Sequence, residues 1–313
     1  MKKTALIFPG QGVQYSGMGK DLYENSKAAK YVFDRANDIL GFDIANMCFN
    51  GSIEELTKTV NSQPCIVTVE LALFEALKEQ NNLEFVATAG HSLGEYSALY
   101  ASKSIDLETV LKLIQKRAAL MQETAEKTNG AMAAVIGLDN ETVIDITKGL
   151  NNVFVANFNS PAQVVITGDK DEINSNLDKF KEAGAKRVLP LAVSGAFHSP
   201  LMREAGEKFV DFVNQFTFNS TNIPVYTNVD ALSVTEGKSF KEELSKQIYS
   251  SVMWVQTINN MIENGIMNFI EIGPGKVLAG LNKKINSEIV TLNVSDWNSL
   301  MDVVNEIKEK ELV

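Results

Sequence analysis

The chain has 313 residues, 45% of them hydrophobic and 22% charged, enough for one large or two modest domains with real cores. Its formal net charge of −10 argues against nonspecific nucleic-acid binding, which needs a basic face to displace counterions. Cys48 and Cys65 have neither metal-ligand spacing nor a disulfide framework, so two buried thiols, no metal and a reducing cytoplasm are expected. Lys2 and Lys3 precede an apolar run that Pro9-Gly10 breaks too early for a signal peptide, and no run reaches transmembrane length.

Thr4-Ala5-Leu6-Ile7-Phe8 predicts a buried parallel-type strand leading into a glycine-rich loop. That loop is no dinucleotide fingerprint, because the third glycine of Gly10-Gln11-Gly12 would have to stand where Tyr15 does. It could present backbone N–H groups to an anion or be a plain turn. Helical spacing follows over residues 21–40, 52–56 and about 61–80. Residues 85–89 then predict a strand, Gly90-His91-Ser92-Leu93-Gly94 a tight turn, and residues 95–99 the start of a helix. Gly-x-Ser-x-Gly between strand and helix is a nucleophile elbow, in which flanking glycines relieve crowding and the serine hydroxyl is pushed above the sheet. Ser92 is the candidate nucleophile.

Asp106 predicts the N-cap of a helix reaching about residue 127. Leu107, Val110, Leu111, Ile114, Ala118 and Met121 form its apolar stripe. At about 100° per residue Arg117 falls roughly 70° from the stripe's centre, and periodicity alone favours a snorkelling surface arginine. From Asn129-Gly130 the texture changes to strand 131–138, helix 140–150, strand 153–157, a turn at Asn159-Ser160-Pro161, strand 163–167, helix 169–183 and strand 186–191. This βαββαβ order is ferredoxin-like. Helix 202–215, strand 223–227, helix 240–248, helix 253–264, strand 267–272 and a tail helix over 296–310 complete the chain. Gly273-Pro274-Gly275-Lys276 lacks the first glycine and the following Ser or Thr of a phosphate loop. The fold class expected is α/β: an α/β-hydrolase-like large subdomain with a mostly parallel sheet, residues 1–127 and 193–313, and an inserted ferredoxin-like small subdomain, residues 128–192.

A serine nucleophile needs a base, and the chain holds two histidines. His91 adjoins Ser92 at a strand end, where successive side chains diverge, so it should point away from the hydroxyl. His198 follows the inserted segment among small residues and is the candidate general base and acid. The third group is open: an Asp or Glu between the two, or a backbone carbonyl holding the ring. For the oxyanion hole, the Leu93 N–H at the helix start is one expected donor and Gln11, in a loop after another strand, the other.

Taken together, Gly10-Gln11-Gly12, Gly90-His91-Ser92-Leu93-Gly94-Glu95, Gln115-Lys116-Arg117, Ser194-Gly195-Ala196-Phe197-His198-Ser199 and Glu271-Ile272-Gly273-Pro274-Gly275 resemble the malonyl-CoA:acyl carrier protein transacylase family of bacterial fatty-acid synthesis, in order and over nearly the whole chain. The resemblance implies a cytoplasmic ping-pong acyltransferase. Ser92 takes malonyl from malonyl-CoA as an ester and passes it to the phosphopantetheine thiol of acyl carrier protein, with His198 as base. It implies that the backbone carbonyl near Gln247 holds the His198 ring, that Gln11 and Leu93 supply the oxyanion hole, and that Arg117 grips the free malonyl carboxylate. A buried Arg117 would reject acetyl by roughly 10⁴ to 10⁵, the scale of a missing polar partner. His91, Phe197 and Asn157 are expected at the substrate site, where the Phe197 ring would disfavour an alpha-branched malonate. Lys186, Arg187, Lys283 and Lys284 are expected as a basic patch for the carrier protein or the CoA phosphates. No cofactor, nucleic-acid partner or membrane is expected, and a monomer is. The competing readings are an acyl-carrier-protein or acyl-CoA thioesterase on the same fold and a noncatalytic scaffold, against which Ser92, His198 and Arg117 together argue.

Overall fold

A computed structural model describes residues 3–193 and 195–310, so Lys2 and Ser194 lie outside the described residues. Ten strands form two sheets: β1 (Thr4–Phe8), β2 (Ala87–Gly90), β3 (Gly130–Ile136), β4 (Val153–Ser160), β5 (Gln163–Asp169), β6 (Arg187–Pro190), β7 (Val225–Tyr226), β8 (Ser233–Val234), β9 (Asn268–Ile272) and β10 (Val290–Val294). The larger sheet runs β10-β9-β1-β2-β7-β8 and is parallel except for the β7–β8 pair. The smaller runs β4-β5-β3-β6 and is antiparallel throughout. The protein is therefore mixed α/β.

Strands β1 and β2 are buried on both faces, which is why they are unbroken apolar or small-residue runs. Their register pairs Phe8 with Gly90, so the loop after β1 and the turn after β2 leave the same edge side by side. Strand β7 pairs Tyr226 with Ala89 and delivers Asn228 to that edge as well. Three loops thus converge there, as parallel topology requires. The helix Thr59–Gln80 runs through the core with most of its residues covered on every side, and Cys48 and Cys65 are both buried and free.

The antiparallel sheet carries the helices Asn140–Lys148 and Lys170–Glu182 between its strands. It joins the parallel sheet's side through β4, where the Phe158 N–H donates to the Val252 carbonyl (2.9 Å) and the Val252 N–H to the Ala156 carbonyl (2.8 Å). Among the described residues no helix is long and apolar enough to cross a membrane.

Several expected boundaries move. The helix expected over 21–40 is two, Lys20–Asn25 and Lys27–Leu40, because Ser26 is extended and turns its hydroxyl to cap the second through the Ala29 N–H. Ser160 lies in β4 and not in a turn; its partner Gln163 closes the hairpin around Pro161 and Ala162. The helices Ile44–Asn50 and Val277–Ile285 and the strand β10 were not expected from sequence. Val277–Ile285 starts where the buried Glu271 carboxylate accepts from the Leu278 N–H (2.8 Å) and the Ala279 N–H (2.9 Å), a cap supplied from a neighbouring strand.

Candidate active site

Ser92 stands at φ 53°, a left-handed conformation that costs a non-glycine residue about 1–3 kcal/mol and has to be enforced by its surroundings. The enforcement is visible on both flanks. A Cβ on Gly90 would overlap the Gly94 backbone, and a Cβ on Gly94 would overlap the Phe8 and Pro9 carbonyls, so the turn closes only with glycine at both places. Asn228 then ties it: the Ser92 N–H donates to Asn228 Oδ1 (2.6 Å), and Asn228 Nδ2 donates to the Gly90 carbonyl (2.6 Å).

His198 Nε2 lies 2.7 Å from Ser92 Oγ. Its Nδ1 faces two backbone carbonyls, Gln247 O at 2.9 Å and Ser250 O at 3.2 Å. Carbonyls only accept, so Nδ1 carries the proton and Nε2 is left as the acceptor for the serine hydroxyl. The ring is buried, and that burial, with the positive charge of Arg117 nearby, pushes its pKa down to about 3. The resting imidazole is neutral. Among the described residues no carboxylate contacts it, which leaves the backbone-held arrangement of the two that sequence allowed.

Arg117 is fully buried, contrary to the snorkelling expectation. The reason is tertiary: its helix Leu107–Lys127 packs against both Thr59–Gln80 and Arg203–Val213, and the guanidinium is enclosed by Ser92, Tyr96 and Gln247 from other elements. One guanidinium nitrogen donates to Ser92 Oγ (3.0 Å) and to Gln247 Oε1 (3.0 Å), and the group sits 5.5 Å from the Tyr96 ring centroid. Among the described residues its Nε has no hydrogen-bond acceptor in place, with the Tyr96 side chain beside it. Burial alone is enough to lower its pKa from the usual arginine value.

Gln247 joins these groups. Its backbone carbonyl takes the His198 proton, its Oε1 takes the Arg117 donor, and its Nε2 donates to the Ser92 carbonyl (2.8 Å) and to Glu95 Oε2 (2.7 Å). Glu95 also accepts from the Asn228 N–H (3.2 Å).

A cavity of about 230 Å³ opens over Ser92 and His198, lined among others by Gln11, His91, Asn157 and Phe197. Within this cavity His91 makes no bond to Ser92; its Nε2 pairs with Asn159 Oδ1 (2.8 Å) and its ring packs on Trp254. The Gln11 and Leu93 N–H groups have no intramolecular acceptor among the described residues. A larger hollow of about 750 Å³ surrounds Phe74, Lys78 and Tyr100 beyond the start of β2, and no serine, cysteine or histidine lines it.

The acyl transferase domain family matches residues 5–309. A malonyl CoA-acyl carrier protein transacylase of Bacillus subtilis is 42% identical over 314 residues, covering 99% of both chains. A transacylase of that name from Clostridium perfringens superposes with TM-score 0.93 at 38% identity, covering 99% of this chain and 98% of its own. A malonyl-transacylase solved in complex with a type II PKS acyl-carrier protein gives 0.93 at 38% identity, over 97% and 100% of the two chains. The chain belongs to the malonyl CoA-acyl carrier protein transacylase family.

Against this family frame, the structure brings Ser92, His198, Arg117 and Gln247 into one hydrogen-bonded set and puts Gln11, His91, Phe197 and Asn157 on the cavity wall. Arg117 reaches that cavity only past Ser92, since none of its surface is open. Sequence reasoning missed Asn228 and Ser250, which carry no local signal, while Asn159 lies in the segment 157–163 that the family resemblance places near the substrate entrance. It also gave no role to Glu95, whose signal was available: a carboxylate three residues after the nucleophile, on a helix buried along its first turns.

Proposed function

We propose that this chain transfers malonyl from malonyl-CoA to the phosphopantetheine thiol of acyl carrier protein through a malonyl-Ser92 ester. The observation that carries the reading is the guanidinium of Arg117, buried 3.0 Å from the nucleophilic oxygen, where the free carboxylate of a short dicarboxylic acyl group would meet it. At rest one of its donors is occupied by a neutral hydroxyl and a neutral amide. A carboxylate is the stronger acceptor and displaces them, whereas acetyl leaves the cation with neutral partners only.

Ser92 Oγ attacks the thioester carbonyl while its proton passes to His198 Nε2. Gln11 and Leu93, whose N–H groups are free, receive the oxyanion. The tetrahedral intermediate collapses, the C–S bond breaks, and CoA leaves as a thiol with the proton from His198. The carrier's thiol then gives its proton to His198, attacks the malonyl ester, and Ser92 leaves with that proton returned. His91 and Asn157 shape the wall, and Phe197 limits room beside the alpha carbon.

The βαββαβ segment with strand order β4-β5-β3-β6 supports a ferredoxin-like small subdomain over 128–192, set into an α/β-hydrolase-like large one over 1–127 and 193–313. Its edge supports the basic patch. Gln163, Ile136 and Arg187 are aligned across three strands, and Lys284 donates to Gln163 Oε1 (3.0 Å), so Lys186, Arg187, Lys283 and Lys284 gather at one end of that sheet. They would receive acidic carrier protein or CoA phosphates. The chain works as a cytoplasmic monomer without a cofactor of its own.

The test is intact-mass analysis after incubation with malonyl-CoA. A malonyl adduct is expected on the wild type, absent in Ser92→Ala, stable in buffer and discharged by carrier protein. Rapid discharge in buffer would make the protein a thioesterase, and no adduct on the wild type would overturn the reading.

A further inference from the structure

Glu95 is used by no step above, yet it is a fully covered carboxyl in the first turn of the elbow helix, with no cation within ion-pairing distance among the described residues. Burying such a group costs several kcal/mol unless its oxygens are bonded, so its partners indicate what it is kept for. Both belong to the site. Through Gln247 Nε2 (2.7 Å) it touches the residue that holds His198 and Arg117, and through the Asn228 N–H (3.2 Å) the residue that ties the Ser92 turn.

An amide can face either way, and this one has two possible orders. As seen, Gln247 Oε1 accepts from Arg117 while Nε2 donates to Glu95 and the Ser92 carbonyl. Flipped, the amide would set N–H against the guanidinium and its oxygen against the Ser92 carbonyl and Glu95 Oε2, donor facing donor and acceptor facing acceptor. Arg117 is an obligate donor and the Ser92 carbonyl an obligate acceptor, and Glu95 Oε2, which already takes the Asn228 N–H, adds a second acceptor on the same side, so together they fix the orientation. We propose that Glu95 is a positioning residue: through the side-chain amide of Gln247 it aligns Arg117 for the acyl carboxylate, and so sets the preference for malonyl over acetyl. This rests on the function proposed above.

The variants are Glu95→Met, which keeps the length and removes both carboxyl oxygens, and Gln247→Met, which removes the amide and keeps the carbonyl that holds His198. Each is assayed with the double variant for the second-order rate of acyl-enzyme formation from malonyl-CoA and from acetyl-CoA, by intact mass. Both single variants should lower malonyl loading about tenfold, the scale of one lost hydrogen bond to a charged group, and lower acetyl loading less than about threefold. Because they act through one chain of contacts, the double variant should be no slower than the slower single by more than about twofold. Equal losses with both donors, or losses that multiply in the double variant, overturn the proposal. Should Glu95→Met not fold, Gln247→Met alone decides: an unchanged malonyl-to-acetyl ratio sinks it. Failure of the function itself would look different, as absence of any malonyl adduct on the wild type.

Discussion

The serine and the histidine meet at 2.7 Å but are held in place by different means. Ser92 is shaped by a turn written in five consecutive residues, which Asn228 then ties from beyond β7. Strand β2 lies in register between β1 and β7, and two glycines permit the sharp turn. His198 is fixed from afar: its N–H donates to the Ile248 carbonyl (3.2 Å), and its Nδ1 to the carbonyls of Gln247 and Ser250. All three acceptors come from the one turn after the helix Gly237–Gln247, about fifty residues along the chain. The elbow is therefore held by a turn that only glycines allow, while the histidine loop, itself buried over residues 195–199, is held by backbone atoms of a distant turn. Damage to the first should register as lost stability, and damage to the second as lost chemistry in an intact fold.

The sharpest attempt to break that contrast is His198→Ala. It should slow malonyl loading by about 10³-fold, within the range for a removed general base, while the thermal midpoint stays near that of the wild type. A variant that unfolded instead would show that the His198 side chain itself carries the packing of its buried loop. Gly94→Ala asks the converse: its methyl would run into the Phe8 and Pro9 carbonyls, so a loss of about 3 kcal/mol or more in chemical denaturation is expected. Arg117→Lys lies between the two, keeping the charge and losing the fork. Malonyl loading should fall about 10²-fold and acetyl loading hardly change, the two lost bonds being to a charged group.

The same contrast explains what could be read from the chain. Gly90, Ser92 and Gly94 state their geometry within five residues, and the alternation of strand and helix around them announced the parallel sheet. The βαββαβ order of residues 130–190 was likewise a local pattern. Arg117 was misplaced by periodicity because what encloses its guanidinium, Ser92, Tyr96 and Gln247, comes from other elements. Asn228 and Ser250 could not be found at all, since one reaches the elbow through the pairing of β2 with β7 and the other holds His198 by a backbone atom that any residue has. The Gln247 carbonyl entered through family resemblance. Its side chain, which links Arg117 to Glu95, needed the tertiary structure.

A smaller effect separates the two regions by pH. Burial, then the Arg117 charge, drives the His198 pKa down from 6.5 to about 3, so between those values the unfolded chain binds the extra proton. The histidine's contribution to stability is complete above about 6.5 and is lost as pH falls toward 3. Burial drives Glu95 the other way, from 4.5 up to about 8, against the opposing hydrogen bonds of Gln247 and Asn228. There the folded chain holds the extra proton, so that contribution is complete below about 4.5 and is lost as pH rises through 8. Buried Glu70 and Glu271, also raised by burial, add to the loss on the alkaline side. Thermal midpoints taken from pH 4 to 9 should therefore fall less steeply on the acid side for His198→Asn and less steeply on the alkaline side for Glu95→Gln. Parallel curves for both variants and the wild type would mean that neither group changes its proton affinity on folding. Opposite changes of slope would show that the histidine loop and the elbow helix hold their titratable groups in opposite protonation biases, as a neutral acceptor at His198 Nε2 requires.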